Sequence, residues 1–440
     1  MMRWTPSTGA WNSPSPNAVE PSMGASLKRQ RFCAGIVAVL LAGCASPPPA
    51  PPQPFLVEES AHQQIRTAAR AISVHIAPAL QSYARHWQGR RLVVGNFVNA
   101  STAEITASGQ ELHTLLLLYL RNELPELEIG ALNPNDALID AIAIQGFTRY
   151  EPHKGKEDGA SWFRVTLGAT DVKDERKVGE AAVLINARHF DPSPSRFFRD
   201  APMYLTGTRH RARMAGFSGK KGQLRALLQN DAALNDAMAD YEKGEYRNAE
   251  EKFTRLIKLD PESDLSAYSG VYQSLLKQGR QEEAEQAFAK LIERGIAEGN
   301  LSVRFLFAVR STSFRDDSDF SGQYTMWVRQ IARQVAHSGQ CVEIGGHTSK
   351  TGKAEFNERL SLQRAQEVMH KLLRVEPRLK ARLRAQGKGF RENIIGSGTD
   401  DALDAIDRRV DFVLAPCRDE KAAAAPDNVS GDGRRMALNG

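Results

Sequence analysis

The chain has 440 residues, too many for one compact core, so two to four folded units are expected. With 41% hydrophobic and 25% charged residues its make-up is that of an ordinary soluble protein. The formal charge is +6, but Arg3, Lys28, Arg29 and Arg31 against Glu20 stand before residue 44, which leaves +3 for the rest. So small an excess, with no basic stripe interleaved with aromatics, excludes a nucleic-acid-binding reading.

The N-terminal stretch reads as an export signal. Lys28, Arg29 and Arg31 form a positive region ahead of the apolar run 32–42. That run is far shorter than the roughly 20 residues needed to span a bilayer, and has the length of a signal-peptide core. It ends in Leu41-Ala42-Gly43-Cys44, which resembles the lipobox of bacterial lipoproteins. The resemblance implies cleavage after residue 43 and a lipid on Cys44. It also implies outer-membrane sorting, because Ala45 and Ser46 lack the aspartate of inner-membrane retention. Met23 makes a more usual start than Met1, so residues 1–22 read as a start-site artefact. Cys33 leaves with the leader, and Cys341 and Cys417 remain as an even pair, which in an exported chain invites a disulfide.

Residues 44–56 are proline-rich, an extended linker rising about 3.1 Å per residue. Residues 57–215 read as an α/β domain. A helix over 58–83 precedes the β-rich run 91–98, and a second helix over 108–122 carries four consecutive leucines at 115–118. Strand-like segments follow at 127–132, 139–148, 162–169 and 181–185, with a polar turn at 174–177 between the last two. The order, with the segment GNFVNAS, is similar to envelope lipoproteins of curli secretion, flagellar assembly and penicillin-binding-protein activation. An unrelated α/β domain is the other reading.

Residues 223–297 contain a repeat. Gly244/Gly279, Ala249/Ala284, Phe253/Phe288 and Leu256/Leu291 are each separated by thirty-five positions. This resembles the tetratricopeptide (TPR) pattern, with Pro261 where that pattern closes its second helix. Two repeats rarely stand alone, so 224–228 and 232–234 are expected as a capping turn. The resemblance implies either binding of other envelope proteins or a spacer.

The run 303–309 reads as a strand, and Tyr324, Trp327, Val328, Ile331 and Val335 form one apolar helical stripe. A strand over 341–345 leads into Gly346-His347-Thr348-Ser349, then a helix with Asn357, Leu360-Ser361 and Arg364-Ala365. Gly387-Lys388-Gly389 and Asp407-Arg408-Arg409-Val410 come later. This ordered set resembles the OmpA-like domain over residues 300–417. The resemblance implies a two-layer β-α-β-α-β-β fold that binds the diaminopimelate of peptidoglycan stem peptides without a covalent bond. It assigns Thr348, Ser349, Asn357, Arg364 and Arg409 to the ligand site, with Arg364 on a ligand carboxylate through its planar fork. Asn357 and Arg364 are seven residues apart, so both point the same way to within about 20°. Ala365, Val368 and Leu372 lie on a neighbouring arc that would face the sheet.

Ser349 stands where the family has an aspartate that holds the ligand's amino group. Loss of that charge is expected to weaken binding by roughly 1.5–3 kcal/mol, about ten- to a hundredfold, and Lys350 beside it disfavours an amine further. Asp400, Asp401 and Asp407 are candidate substitutes. OmpA-like sheets run the last strand antiparallel to the strand before the Gly-His-Thr turn, which brings Cys341 and Cys417 together as a disulfide.

His347 near Ser349 and Ser361 belongs to the turn motif, and no HExxH, CxxC, GxSxG or Walker sequence occurs, so no catalytic set, metal or cofactor is expected. Thr399 followed by Asp400, Asp401 and Asp404 reads as a helix N-terminus, and the tail 418–440 as disordered. The sequence describes an α+β multidomain chain: a leader, a lipidated linker, an α/β domain, a short TPR-like helical repeat and an OmpA-like domain. The expected role is a non-enzymatic outer-membrane lipoprotein that tethers the envelope to peptidoglycan. The alternative is a scaffold of an envelope-spanning assembly with little affinity for the wall.

Overall fold

The computed structural model describes residues 55–56, 61–84, 91–136, 138–151, 161–214, 222–308, 311–314, 321–394, 407–415 and 417. The leader, Cys44, the proline-rich linker, the acidic stretch 400–404 and the tail from 418 lie outside them. Among the described residues no helix is long and apolar enough to cross a membrane.

Six strands make the first sheet, in the order β1-β6-β5-β4-β2-β3. They are β1 (Phe55–Leu56), β2 (Arg91–Asn99), β3 (Glu128–Ala131), β4 (Ala141–Glu151), β5 (Trp162–Asp171) and β6 (Arg176–Asn186). Pairing is parallel for β1 with β6 and for β2 with β3 and β4, and antiparallel along β4-β5-β6. In β5, Phe163, Val165, Leu167 and Ala169 are buried, and the residues between them are half-exposed. This period-two pattern meets the stripe Ile65, Ala68, Ile72 and Ile76 of helix α1 (Ala61–Ala84), which packs with α2 (Ala107–Glu123) on one face. Strand β2 instead buries Leu92, Val93 and Val94 in a row, because it is covered on both faces. Leu92 and Val94 share the core of α1 and α2, and Val93 joins Leu224, Leu228 and Ala232 of α5 (Leu224–Lys243).

That second contact explains one departure from expectation. The segments 224–228 and 232–234 are not a capping turn but parts of the single helix α5. Its first half lies on the sheet, while Leu234, Ala237, Met238 and Tyr241 enter a different core. Glu175, in the turn before β6, accepts hydrogen bonds from the N–H groups of Gly222 and Leu224 at 2.9 and 3.0 Å and so caps the helix from the neighbouring unit.

Helices α6 (Tyr246–Leu259), α7 (Leu265–Lys277) and α8 (Gln281–Ala297) follow α5. Gly244 and Gly279 stand at φ +83° and +77°, the left-handed conformation that ends α5 and the turn after α7. Ala249, Ala284, Phe253, Phe288, Leu256 and Leu291 are all buried. Gly270 lets α6 and α7 approach closely, since a Cβ there would sit 2.4 Å from the Phe253 ring.

The helical unit shares one apolar core with what precedes and follows it. Phe197 and Phe198 of the short helix α3 (Arg196–Asp200), with Met203 and Leu205 after it, pack among Tyr241, Phe253 and Tyr272. On the far side Trp327 of α9 (Tyr324–Ser338) stacks on Phe288 at 5.7 Å and donates from Nε1 to the Tyr272 hydroxyl at 2.9 Å. Arg304 reaches Glu104 at 2.8 Å, although both are largely withdrawn from solvent.

The C-terminal sheet comprises β7 (Cys341–Gly346), β8 (Leu383–Gly387) and β9 (Val410–Ala415), in the order β8-β7-β9, with α9 and α10 (Ala354–Val375) as its helical layer. β7 runs parallel to β8 and antiparallel to β9, in a register that places Cys341 opposite Ala415. The expected first strand, 303–309, is not a ladder strand. Val303, Phe305 and Phe307 are buried in alternation, but the backbone forms only isolated bridges, Leu301 to Phe412, Val303 to Met203 and Phe307 to Phe314. Each of these bridges has a different partner segment, so no ladder is completed.

Helix α4 (Thr208–Met214) carries a buried polar cluster between the two units. Arg213 binds Asp231 at 3.0 Å and Asp264 at 3.1 Å, and His210 donates from Nε2 to the Ala100 carbonyl at 2.9 Å. Burial holds the His210 pKa below its ordinary value, the Ala100 bond opposes this, and the Arg213 charge adds to the lowering. His113, donating from Nδ1 to Gly95 at 2.9 Å, is lowered by burial too. Below the ordinary histidine pKa the unfolded chain takes up protons that the folded chain refuses, so stability falls as pH drops through about 6.5, at up to about 1.4 kcal/mol per pH unit for each group. A His210→Gln variant should therefore lose less stability than the parent in urea titrations taken between about pH 7.5 and pH 5.5. Identical pH slopes would count against this assignment.

Candidate functional site

Two glycines set the site. A Cβ on Gly346, at the end of β7, would lie 1.9 Å from the Ser361 carbonyl oxygen, and one on Gly387, at the end of β8, would lie 2.7 Å from that of Glu358. Only glycine lets α10 descend so far onto the sheet. Ala365, Val368 and Leu372 then face the sheet fully buried, while Lys353, Phe356, Asn357, Leu360 and Arg364 line the other arc.

The turn after β7 is fastened on both sides. Thr348 donates its N–H to Gly389 at 2.9 Å, and His347 donates its N–H to Arg409 at 3.0 Å. Ser361 accepts from the Gly389 N–H at 2.9 Å, which ties the helix to the same loop. The turn and α10 enclose a cavity of about 420 Å³ lined by Thr348, Ser349, Thr351, Gly352, Lys353, Phe356, Asn357, Leu360, Arg364 and Arg408. This is the size of a small-ligand site.

Arg364 is 1% exposed. Its Nε donates to the Ser311 carbonyl at 3.1 Å and Nη2 to that of Ala308 at 3.3 Å, and its guanidinium lies 5.0 Å above the Phe307 ring. Asn357 donates from Nδ2 to the Thr351 carbonyl at 2.9 Å. The Thr348 hydroxyl is buried with no hydrogen-bond partner among the described residues. Four of the five expected site residues, Thr348, Ser349, Asn357 and Arg364, therefore line one cavity.

Arg409 does not line it. Its Nε donates to Asp411 at 2.8 Å and its Nη2 to the Glu392 carbonyl at 3.1 Å, with His347 Nε2 at 3.2 Å from the same Asp411 carboxylate. Burial raises the Asp411 pKa, but the His347 hydrogen bond and the Arg409 charge prevail and hold it below the usual aspartate value. Asp407, a candidate substitute for the missing acid, is fully buried and accepts from the Ile394 N–H at 2.6 Å. Asp400 and Asp401 lie outside the described residues. Sequence reading passed over Arg408, Lys353, Phe356 and Thr351. The helical arc 353-356-357-360-364 was a usable signal for two of them.

Cys341 and Cys417 are joined by a disulfide, with their Cα atoms 4.9 Å apart. Among the described residues no group of three or more histidines, cysteines or acids is arranged to hold a metal.

The sequence profile of the OmpA family matches residues 315–405. No curated protein matches the chain. Among solved structures the chain is similar to the peptidoglycan-associated lipoprotein from Burkholderia pseudomallei, at 28% identity and TM-score 0.21, over 27% of this chain and 92% of that one. It is also similar to the cell wall anchor of the T6SS from Pseudomonas aeruginosa, at 24% identity and TM-score 0.23, over 29% and 96%. A third is the periplasmic domain of Helicobacter pylori MotB, at 18% identity and TM-score 0.22, over 28% and 78%. The C-terminal part of this chain is an OmpA-like domain.

Proposed function

We propose that the chain is a non-covalent tether between the outer membrane and peptidoglycan, held at one end by lipid on Cys44 and at the other by the cavity of its OmpA-like domain. The observation that carries this reading is the meeting of Arg364, Asn357, Thr348 and Ser349 in one cavity, with a buried guanidinium in its wall. A planar cation withdrawn from water binds a carboxylate more strongly than an exposed one, and stem peptides end in carboxylates. The α/β unit and the helical repeat stand between the two attachments. Since α7 is buried along most of its length and α8 packs on α9, the repeat offers envelope partners α6 and the exposed face of α8.

The test is co-sedimentation of the full chain with purified sacculi. Retention is expected, with a drop of about three- to tenfold for Arg408→Ala, which removes a side chain of the cavity lining. Background retention of the parent would overturn the tether and leave the scaffold reading, which draws on Ser349 in place of an acid.

A further inference from the structure

A bulge in β2 marks a second cavity, far along the chain from the first. Val94 pairs with Ile144 and Phe97 with Gly146, so Gly95 and Asn96, which open the segment GNFVNAS, stand together opposite Gln145. An extra residue of this kind is rare between parallel strands, and it re-aims the side chains around it. Gly95, Asn96 and Gln145 all line a cavity of about 70 Å³, which α5 closes from the other side with Leu234, Asn235 and Met238.

This cavity has a polar mouth and an apolar floor. Asn96, Gln145 and Asn235 are half-buried, whereas Leu205, Leu234 and Met238 are buried. Asn96 Nδ2 donates to Asn235 Oδ1 at 3.0 Å, so the pair keeps the nitrogen of one amide and the oxygen of the other for a further partner. Gln145 Oε1 is withdrawn from solvent and has no hydrogen-bond partner among the described residues, an acceptor that calls for a donor. The charges in the wall are spent on one another, Arg213 on Asp231 and Asp264, and His210 is held by the Ala100 carbonyl. Recognition is left to neutral amides.

Size narrows the occupant. A cavity of about 150 Å³ holds benzene, so one of half that volume holds roughly four heavy atoms. A backbone amide would have to bring its chain in with it. A side-chain carboxamide would drive its polar end onto the apolar floor. An acetamido group meets both conditions. It hangs from a sugar ring by one bond, its N–H and C=O reach the amides of the mouth, and its methyl ends on Leu205, Leu234 and Met238.

We propose that this cavity takes the acetamido group of an N-acetylated amino sugar, the kind of sugar that builds the glycan strands of the wall. The proposal goes beyond the tether reading and does not depend on it. One group of this size makes few contacts and binds weakly, so the site is read with soluble sugar and not by sedimentation.

The experiment is saturation-transfer NMR of the full chain with triacetylchitotriose and with the same trisaccharide free of acetyl groups. The acetyl methyl is expected to receive the largest saturation, and the unacetylated sugar to bind at least about tenfold more weakly. Asn235→Ala, a change that a helix accepts well, should weaken binding of the acetylated sugar about three- to tenfold while circular dichroism shows the fold retained. Equal binding of the two sugars, saturation confined to ring protons, binding of neither sugar, or undiminished binding by Asn235→Ala overturns the proposal. Each of these leaves the tether standing, because that reading rests on retention by sacculi.

Discussion

Replacing Arg364 by alanine should abolish retention on sacculi and also lower the stability of the C-terminal domain, by about 2–4 kcal/mol. The guanidinium has two kinds of neighbour. On one side it holds the carbonyls of Ala308 and Ser311 and covers Phe307; on the other it borders the cavity. Truncation leaves two carbonyls without their donor and removes the planar group that a carboxylate recognises. Arg364→Lys separates the two effects. It retains a charge and a stem that fills space, but one ammonium cannot reproduce the fork, so about tenfold weaker binding is expected with a smaller loss of stability. Urea unfolding and co-sedimentation on the same preparations give both numbers. Undiminished retention by a folded Arg364→Ala chain would remove this residue from the site.

The second large effect concerns the disulfide. Cys341 opens β7 and Cys417 follows β9, the strand antiparallel to it, and the bond closes a sequence separation of 76 residues. In the chain-entropy account a closure of this length stabilises the folded state by about 4 kcal/mol. The double variant Cys341→Ser, Cys417→Ser should therefore unfold on the order of 10 °C lower. Both cysteines should also resist alkylation in the denatured, unreduced chain and react after reduction. Alkylation before reduction would refute the bond.

Much of the architecture can be read from the residues, and the gaps have physical causes. The alternation in β5 and the stripe in α1 are periodic, and periodic burial is what a sequence displays best. The segment from Phe197 to Leu205 fills the core of the helical unit with only the short helix α3, too short to show a period. Its apolar residues look like those of any loop until their neighbours are known. The site divides in a similar way. Asn357 and Arg364 are legible because a helix fixes their spacing. Arg408 and Arg409 are adjacent and both precede β9, yet Arg409 is held by Asp411 and the Glu392 carbonyl, whereas Arg408 lines the cavity. The identity of the lining arginine depends on a phase of one residue, which a match to a family pattern does not carry.

A boundary between domains is where a pulled chain absorbs strain by rotating. The apolar core that runs from Phe253 through Phe288 and Trp327 to Phe412 leaves no such joint between the helical repeat and the OmpA-like domain. Arg304 on Glu104, and Glu175 on the first turn of α5, pin that body to the six-stranded sheet as well. Under the tether reading, a load taken up at Arg364 would therefore pass from the C-terminal sheet into the helices and the six-stranded sheet through packed side chains.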